Sequence, residues 1–600
     1  MKTETFSQNG RFLSETFRKA LIPGILSMLG GNITIMADGI IVGQKLGSNG
    51  LSAINLCMPL YLIICIFGSW IVAGTAISSS TALGSGNQKD GDRFCHQSQL
   101  LCIVVSVLLT AIGFIFLKPI TNFLCSDNSL KQMVYVYSWT SILSAFPKIM
   151  IYIPFWYLRL DGKNRSITVM MAIMGIGNIL LDLLFMYGFN MGIFGAGIAS
   201  FISTLLATVF GFMSLFGKRK NFTLGLALPK GIKEIRDIIS IGSPSAFNNM
   251  FQTFRVLAIN HMLMSSSGSI MVAVFTAINC VVAFSECILF GIPQAASAML
   301  GSFVGDKDNN STLMVIKKQF KSGAILAIIF ACIVIPFANM IARLYGLDVP
   351  FLVPMICVAL SLPLGLICTI MIGYYNTVGY NNWANLIVFA RVLLFPILFL
   401  FILLKFNLSV YWFMPLGEVF TIILWLLCFY FSYHRDSSKG WILRMQKKEV
   451  SPQVTWSVEG ASEQICTLSE GALGFYVDNG LGKKVGMKIS LALEELLVLI
   501  SQKNEGKNMF CDLRLRVIEH ESNITIDYHG VKVDLNNVIE NAAAITLRYS
   551  GIDFNPLGTA SNEEDEYMGM RMLEKLIKNK EYQNISGMNV LRIVVGETED

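Results

Sequence analysis

Residues 176–187 read IGNILLDLLFMY, inside an apolar run, 167–189, that is long enough to cross a membrane and holds one charge, Asp182. A lone carboxylate near the middle of a spanning helix costs ~2.5–3.5 kcal/mol on insertion scales. Asn178 precedes it by one helical turn, so both side chains project from the same face. The pair therefore predicts a compensating partner, either an ion or another buried polar group.

Working outward, the chain supplies many similar runs. Of its 600 residues 54% are hydrophobic and 14% charged, against about 25% charged in a soluble chain. The deficit is confined to residues 1–433; beyond them charge returns to the density of a soluble domain. Twelve runs approach the ~20 residues that a spanning helix needs, near 19–44, 54–84, 98–117, 133–158, 166–188, 192–216, 237–264, 270–303, 321–344, 351–376, 383–405 and 408–433. Alternate loops concentrate the basic residues, among them Lys89, Arg93, Arg159, Lys163, Arg165, Lys307 and Lys317. That bias places these loops, both termini and the tail in the cytoplasm. The expected product is an all-α polytopic membrane protein with a soluble α/β tail.

The polar segment 1–20 has no apolar core followed by a cleavage site, so no cleaved leader is expected. Of the thirteen cysteines only Cys125 is expected outside, which predicts no disulfide, and the five histidines share no ligand spacing with them. No metal site is read. The net charge of +6 comes from loop lysines and arginines and implies no nucleic-acid partner.

The chain also repeats itself. TAISSSTALGSGNQKD (75–90) aligns with QAASAMLGSFVGDKDN (294–309) through Ala76/Ala295, Ser78/Ser297 and Gly86/Gly305, and YLRLDGKNRS (157–166) aligns with YYNTVGYNNW (374–383). Each half opens with a proline in its first span, Pro23 and Pro244. Two six-span halves in one orientation imply a parallel repeat, as in secondary transporters that bind substrate between their halves.

The residues carry a resemblance. GGNITIMADGIIVGQKLGSNGLSAI (30–54), with Pro23, Asp38, Gly43, Gly47 and Ala53, resembles the first-span signature of the multidrug and toxic compound extrusion (MATE) family. Asn178 and Asp182, followed by GIFGAGIAS (192–200), resemble its fifth and sixth spans; YLRLDGKNR (157–165) and ISIGSPSAFNN (239–249) resemble the loop after span four and the start of the second half. The likeness covers residues 10–433. It implies two six-helix lobes, alternating access, and export of amphipathic, often cationic, compounds driven by inward H⁺ or Na⁺ flow. A bacterial plasma membrane is the expected location.

On this reading Asp38 and Asp182 face one cavity. They share a proton, or both ionise around Na⁺ with Asn178 and Ser200 completing an oxygen shell. The alternative is a structural Asp182 paired with Lys148 of span four. In the second half Gln252, Arg255 and Asn260 stand where some members carry acids; Arg255 and Glu286 are read as a buried ion pair, and Glu418 has no assigned role.

After a basic linker, 434–454, residues 455–600 resemble an anti-sigma-factor-like member of the histidine-kinase-like (GHKL) ATPase domains. ALEELLVLI (492–500) is similar to the helix with the family's Glu and Asn, RYSGIDFNPL (548–557) to its Asp-x-Gly box, and 566–593 to its second glycine box and last strand. Glu495 is kept, but Leu499 replaces the Mg²⁺-binding Asn and Tyr549 the adenine-binding Asp. In the rival placement, IDYHG (526–530), Tyr528 takes the Asp position. Gly551 remains of the first box and Gly569 of the second. These departures predict a regulatory module that binds a cytoplasmic protein, or nothing, rather than ATP and Mg²⁺. No GxxxxGK[ST] motif occurs.

The expected domains are thus 1–216, 217–433, 434–454 and 455–600. The chain is expected to be an exporter of small cations that needs no cofactor beyond its coupling ion and has the lipid bilayer as its medium. The alternatives are a lipid-linked oligosaccharide flippase of the same superfamily and a membrane-anchored signalling ATPase or anti-sigma-like regulator.

Overall fold

The computed structural model describes residues 10–125, 130–216, 222–344, 350–435, 452–458, 462–505, 510–518, 527–528, 531–532, 542–557, 577–585 and 587–596. They form two compact units, Phe17–Ser437 and Met1–Thr16 with Ser438–Asp600. In the first unit apolar sequence becomes helix, the one open structure that satisfies backbone N–H and C=O groups within a segment in hydrocarbon.

The first half starts with α1 (Arg11–Gly84), two helices joined at Gly47, whose φ of +68° suits glycine alone. Then come α2 (Gln88–Ile115), α3 (Leu117–Leu124), α4 (Lys131–Leu143), α5 (Ala145–Met150), α6 (Tyr152–Leu160), α7 (Asn164–Asp182) and α8 (Gly192–Leu215). The second half follows with α9 (Ile232–Gly305), α10 (Asn309–Val334), α11 (Ala338–Leu344), α12 (Leu352–Val378), α13 (Asn381–Val388), α14 (Phe395–Lys405) and α15 (Phe413–Arg435). Helices α1 and α9 are each 74 residues long. Asn87 and Asp308 cap the helices that follow them through side-chain oxygens that accept N–H groups of the first turn. The left-handed turn residues recur as well: Asn190 and Asn407 both have φ +52°, and Gly162 and Gly379 have +70° and +86°. Near residue 84 the repeat is two residues longer than the sequence match suggested. Gly84, not Gly86, ends α1 as Gly305 ends α9.

Eight helices among the described residues are long and apolar enough to cross a membrane, or nine if a bent pair counts as one span. The runs 19–44, 237–264 and 321–344 are not among them, although they are helical over much of their length. The last carries Lys321 and is broken between Val334 and Ala338. The run 133–158 is not one straight helix; it bends by 48° between Leu143 and Ala145, close to Pro147, which removes a backbone donor. Span twelve opens with one tight turn, Val410–Trp412, before α15.

The halves meet along a seam of glycines. Gly84 abuts Ser302, Gly301 abuts Ser80, Gly305 abuts Thr81, Gly74 abuts Ile238 and Gly242 abuts Trp70, and none of the five has room for a Cβ. The Trp70 indole N–H donates to Ile239 O at 2.7 Å, and the Asn249 amide donates to Ser69 Oγ at 3.2 Å. Gly84, Gly301, Gly305, Ile238 and Gly242 lie toward the helix ends that carry the basic turns, whereas Ser69, Trp70 and Asn249 lie nearer mid-span. The connection between halves is fastened to α2. Asp92 accepts from the Thr223 N–H and hydroxyl at 2.8 and 2.6 Å. Glu234 pairs with Arg93 and accepts from the Gln97 amide at 3.1 Å.

The second unit holds an antiparallel sheet of β1 (Gln453–Val458), β2 (Cys511–Ile518), β5 (Ala542–Tyr549), β7 (Met588–Gly596) and β6 (Ile577–Ile585), in that spatial order. A separate pair is β3 (Asp527–Tyr528) with β4 (Val531–Lys532). One transverse row, Trp456, Leu513, Leu547, Leu591 and Tyr582, follows from the register. It belongs to the core that Leu468 of α16 (Ser462–Asp478) and Leu493 and Leu496 of α17 (Lys483–Lys503) complete. The alternating residues Asp512, Arg514, Thr546 and Arg548 make the other face polar. One expected boundary shifts: strand β1 starts at Gln453, ahead of residue 455. Strand β6 begins at Ile577, which pairs with Val595.

The seam generates a prediction. Gly305→Leu, in a chain also carrying Ser80→Cys, forces the halves apart. Maleimide labelling of Cys at position 80, followed by peptide mass spectrometry, is expected to run several-fold faster than with Gly305 retained. Equal rates would show that the seam tolerates the side chain.

Candidate functional site

The structure brings together the four residues singled out in the first half. Asn178 and Asp182 lie on α7 and are buried, and the Asn178 Nδ2 donates to Asp182 Oδ2 at 3.0 Å, as their spacing requires. Immediately after Asp182 the helix widens into a π-turn, Leu183–Gly188, a distortion common at functional sites. Ser200 of α8 directs its hydroxyl at Asp38 Oδ2 at 3.4 Å, longer than an ordinary O–H···O bond and therefore weak. Two glycines of GIFGAGIAS allow that approach: Gly195 lies against Phe185 of the π-turn, and Gly197 lies against Thr140 of α4 with no room for a Cβ.

The Asp38 and Asp182 carboxyls face each other within interaction range. Asp38 Oδ1, Asp182 Oδ1 and Asn178 Oδ1 are buried with no hydrogen-bond partner among the described residues. Two facing carboxylates are both acceptors, so they need a proton or a cation between them. The residues fit either occupant: oxygen is what a hard cation prefers, and one shared proton satisfies both acids. Lys148 is not the partner of Asp182. Its ammonium lies 4.9 Å from the centre of the Tyr61 ring and acts on Asp38 only as a neighbouring charge. Sequence reasoning missed Tyr137 of α4, which packs against Ile41, Val42 and Met186 and lies within electrostatic reach of both acids. No charge or motif marks it.

The second half balances its charges differently. The Gln252 amide donates to both oxygens of Glu286 at 3.2 and 3.3 Å, and Arg255 approaches Glu286 at 3.7 Å. Glu418 of α15 has a partner: Arg391 Nε lies 2.9 and 3.0 Å from its two oxygens. Arg391 sits in a second π-turn, Phe389–Leu394, of the helix formed by α13 and α14. The signal was present in the sequence, since each is a single charge in an otherwise apolar span. The side chain of Asn260 lies outside the described residues.

In the tail the positions that would hold nucleotide are turned to other uses. Leu499 and Tyr549 are in the core. Gly551 has φ +118° and touches Asn504, whose Oδ1 accepts the Ile552 N–H at 2.9 Å. The Tyr549 hydroxyl donates to Phe554 O at 2.6 Å, and the Tyr582 hydroxyl lies 2.6 Å from Asp553 Oδ1. Burial pushes both phenols above their ordinary range, which keeps them protonated donors. The loop after β5 is thus bonded back onto its own domain. Glu495 lies on α17, and Gly569 lies outside the described residues.

The family model MatE matches residues 23–187. The multidrug export protein MepA of Staphylococcus haemolyticus is 24% identical over 403 residues, 65% of this chain and 88% of that protein. The FAD transporter of Shewanella oneidensis is 26% identical over 245 residues, 40% of this chain. That match spans 53% of the relative, about half its length. Among solved structures, an outward-facing MATE transporter of the MOP superfamily superposes with a TM-score of 0.65 at 19% identity, over 72% of this chain and 98% of the other. Another is a MOP superfamily transporter from Pyrococcus furiosus, with a TM-score of 0.65 at 18% identity over 72% of this chain and 99% of its own; its binding pocket is described as of reverse polarity. The superpositions show that this chain shares the fold of those transporters.

The facing acids generate a stability prediction. Asp182→Asn replaces one of the two facing carboxyls by an amide that can donate, and removes one of two like charges. The purified protein is expected to melt higher, by ~1 kcal/mol of stability. A lower midpoint would mean that the carboxyls are already satisfied.

Proposed function

We propose that the chain exports amphipathic, mostly cationic small molecules by alternating access, with inward H⁺ or Na⁺ as the driving ion. The observation that carries this reading is the difference between the halves. Glu286 and Glu418 each face an arginine, whereas Asp38 and Asp182 face each other. Burying two acids without a basic partner is unfavourable unless something positive visits them. A coupling ion and a cationic substrate both meet that need, and competition for one negative site links their movements. Relatives whose names describe multidrug export favour the same reading.

In mechanism, Asp38 and Asp182 hold the proton or Na⁺, Asn178 fixes the Asp182 carboxyl through its amide, and Ser200 supplies a further oxygen. The seam of glycines lies toward the basic ends of its helices, which we place in the cytoplasm, so in this scheme the halves part on the outer side. Ion arrival there discharges the acids, substrate leaves, and the halves rock about the seam. Twelve spans in two lobes, 1–216 and 217–433, with both termini cytoplasmic in a bacterial plasma membrane, complete this scheme. The tail, 455–600 after a basic linker, acts as a GHKL-like regulatory module that engages a cytoplasmic protein. The closed loop at Gly551 and the apolar Leu499 argue against ATP and Mg²⁺ there.

Two measurements test the scheme. Proteoliposomes loaded with a fluorescent organic cation are exposed to a pH gradient or a Na⁺ gradient separately. One gradient is expected to drive dye movement in the native protein, and Asp182→Asn is expected to abolish it; full coupled transport by the variant would refute the assignment. For the tail, Mg²⁺ and saturating ATP are expected to leave the melting curve of the full chain unmoved. A shift in the curve would restore the nucleotide site.

A further inference from the structure

We infer that the tail grips the N-terminal turns of α1 and thereby restrains the helix that carries Asp38, an inference that rests on the regulatory role proposed for the tail and names what it acts on. Met1–Thr16 belong to the compact unit of Ser438–Asp600, not to the unit that starts at Phe17. Yet α1 begins at Arg11 and runs through that boundary, with no departure from helical geometry before Gly47. One continuous helix thus has its first turns in the tail's unit and its acid in the other.

The first turns are built to dock. Gly10, at φ +66°, turns the chain, and the Ser14 N–H donates to Gly10 O at 3.0 Å. Phe12, Leu13 and Thr16 are 1%, 0% and 7% exposed, and Phe17 and Ala20 continue the same buried face. Arg11, Arg18 and Lys19 are exposed. The one hydroxyl on the buried face is satisfied within the helix, since Thr16 Oγ1 donates to Phe12 O at 3.0 Å. Residues 11–16 precede the apolar run 19–44, so hydrocarbon does not hold them, and it is protein that covers Phe12 and Leu13. Two turns of helix are not stable alone in water. Packing within the tail's unit therefore fixes them, and the tail's ligand is a segment of its own chain.

The rest of α1 can carry the effect. Asp38 lies 22 residues beyond Thr16, about six helical turns. On the way Gly24 lies against Gly291 of α9 with no room for a Cβ, and Gly30 lies against Met171 of α7. Helix α7 bears Asn178 and Asp182. A shift of α1 is therefore felt by both halves before it reaches the acids. A cytoplasmic protein that loosens the tail's grip would free this helix end.

The dock is tested by cutting the purified full chain at a protease site placed in the linker 434–454. The tail is expected to co-elute with the membrane part on size exclusion, and Phe12→Ser/Leu13→Ser is expected to release it. Arg18→Ser, on the exposed face, is expected to retain it, and Leu13→Ala alone, a milder change, to release part. Release from the native protein, or full retention by both Phe12→Ser/Leu13→Ser and Leu13→Ala, overturns the dock. In proteoliposomes the uncut Phe12→Ser/Leu13→Ser chain is expected to move the dye several-fold faster than the native protein under the same gradient. Equal rates overturn the restraint on α1. Retention needs no transport, so a native protein that moves no dye but keeps its tail overturns the exporter reading and leaves the dock standing.

Discussion

A carboxylate in hydrocarbon needs positive charge nearby, and the arrangement of the first half follows from that need. Asp182 gains one neutral donor from Asn178, Asp38 gains a distant one from Ser200, and three oxygens are left over. Everything around them favours keeping the cluster small and close. Two glycines draw α8 against α4 and the π-turn, Tyr137 packs nearby on Ile41, Val42 and Met186, and Lys148 acts on Asp38 only from a distance. The fold thereby holds a site that is incomplete by itself, which is the condition a transporter needs for an ion that must come and go.

The second half uses the same helical scaffold for the opposite purpose. Its long first helix, its N-cap and its left-handed asparagine turn repeat those of the first half. Its buried acids, however, are matched by arginines. Removing one partner of such a pair typically costs ~3–5 kcal/mol, because the other charge is left stranded. Tight pairing at Arg391–Glu418 therefore stabilises one arrangement, whereas Arg255 approaches Glu286 less closely, at 3.7 Å. Both π-turns fall on equivalent helices next to these charges. A widened turn frees backbone groups and redirects the side chains that follow it.

Much of this was legible in the sequence, for physical reasons. Helices in the first unit follow from apolar length, and the contact of Asn178 with Asp182 follows from a four-residue spacing on one helix. Asp38 and Ser200 were located by resemblance, since no local pattern connects residues so far apart in the chain. The bend at Ser144 and the widened turns were not visible, because hydropathy reads composition and not hydrogen-bond register. Arg391 was missed although its logic equals that of Asp182. In the tail, strands β2 and β7 alternate clearly, while β6 does not: IKNKEYQNI is polar on both faces and becomes a strand through pairing with β7. Local preference yields there to the tertiary partner.

The glycine seam has a consequence for how the sequence can drift. Where backbone meets backbone, cohesion comes from many dispersion contacts of a few tenths of a kilocalorie each. Beside the hydrogen bonds of Trp70 and Asn249, the glycines themselves offer no side chain whose removal could loosen the halves. Change at Gly74, Gly84, Gly242, Gly301 or Gly305 can only add bulk. Mutation there is a one-way valve that shifts the balance toward the parted state, so these positions set the resting conformation of the molecule without touching anything it carries.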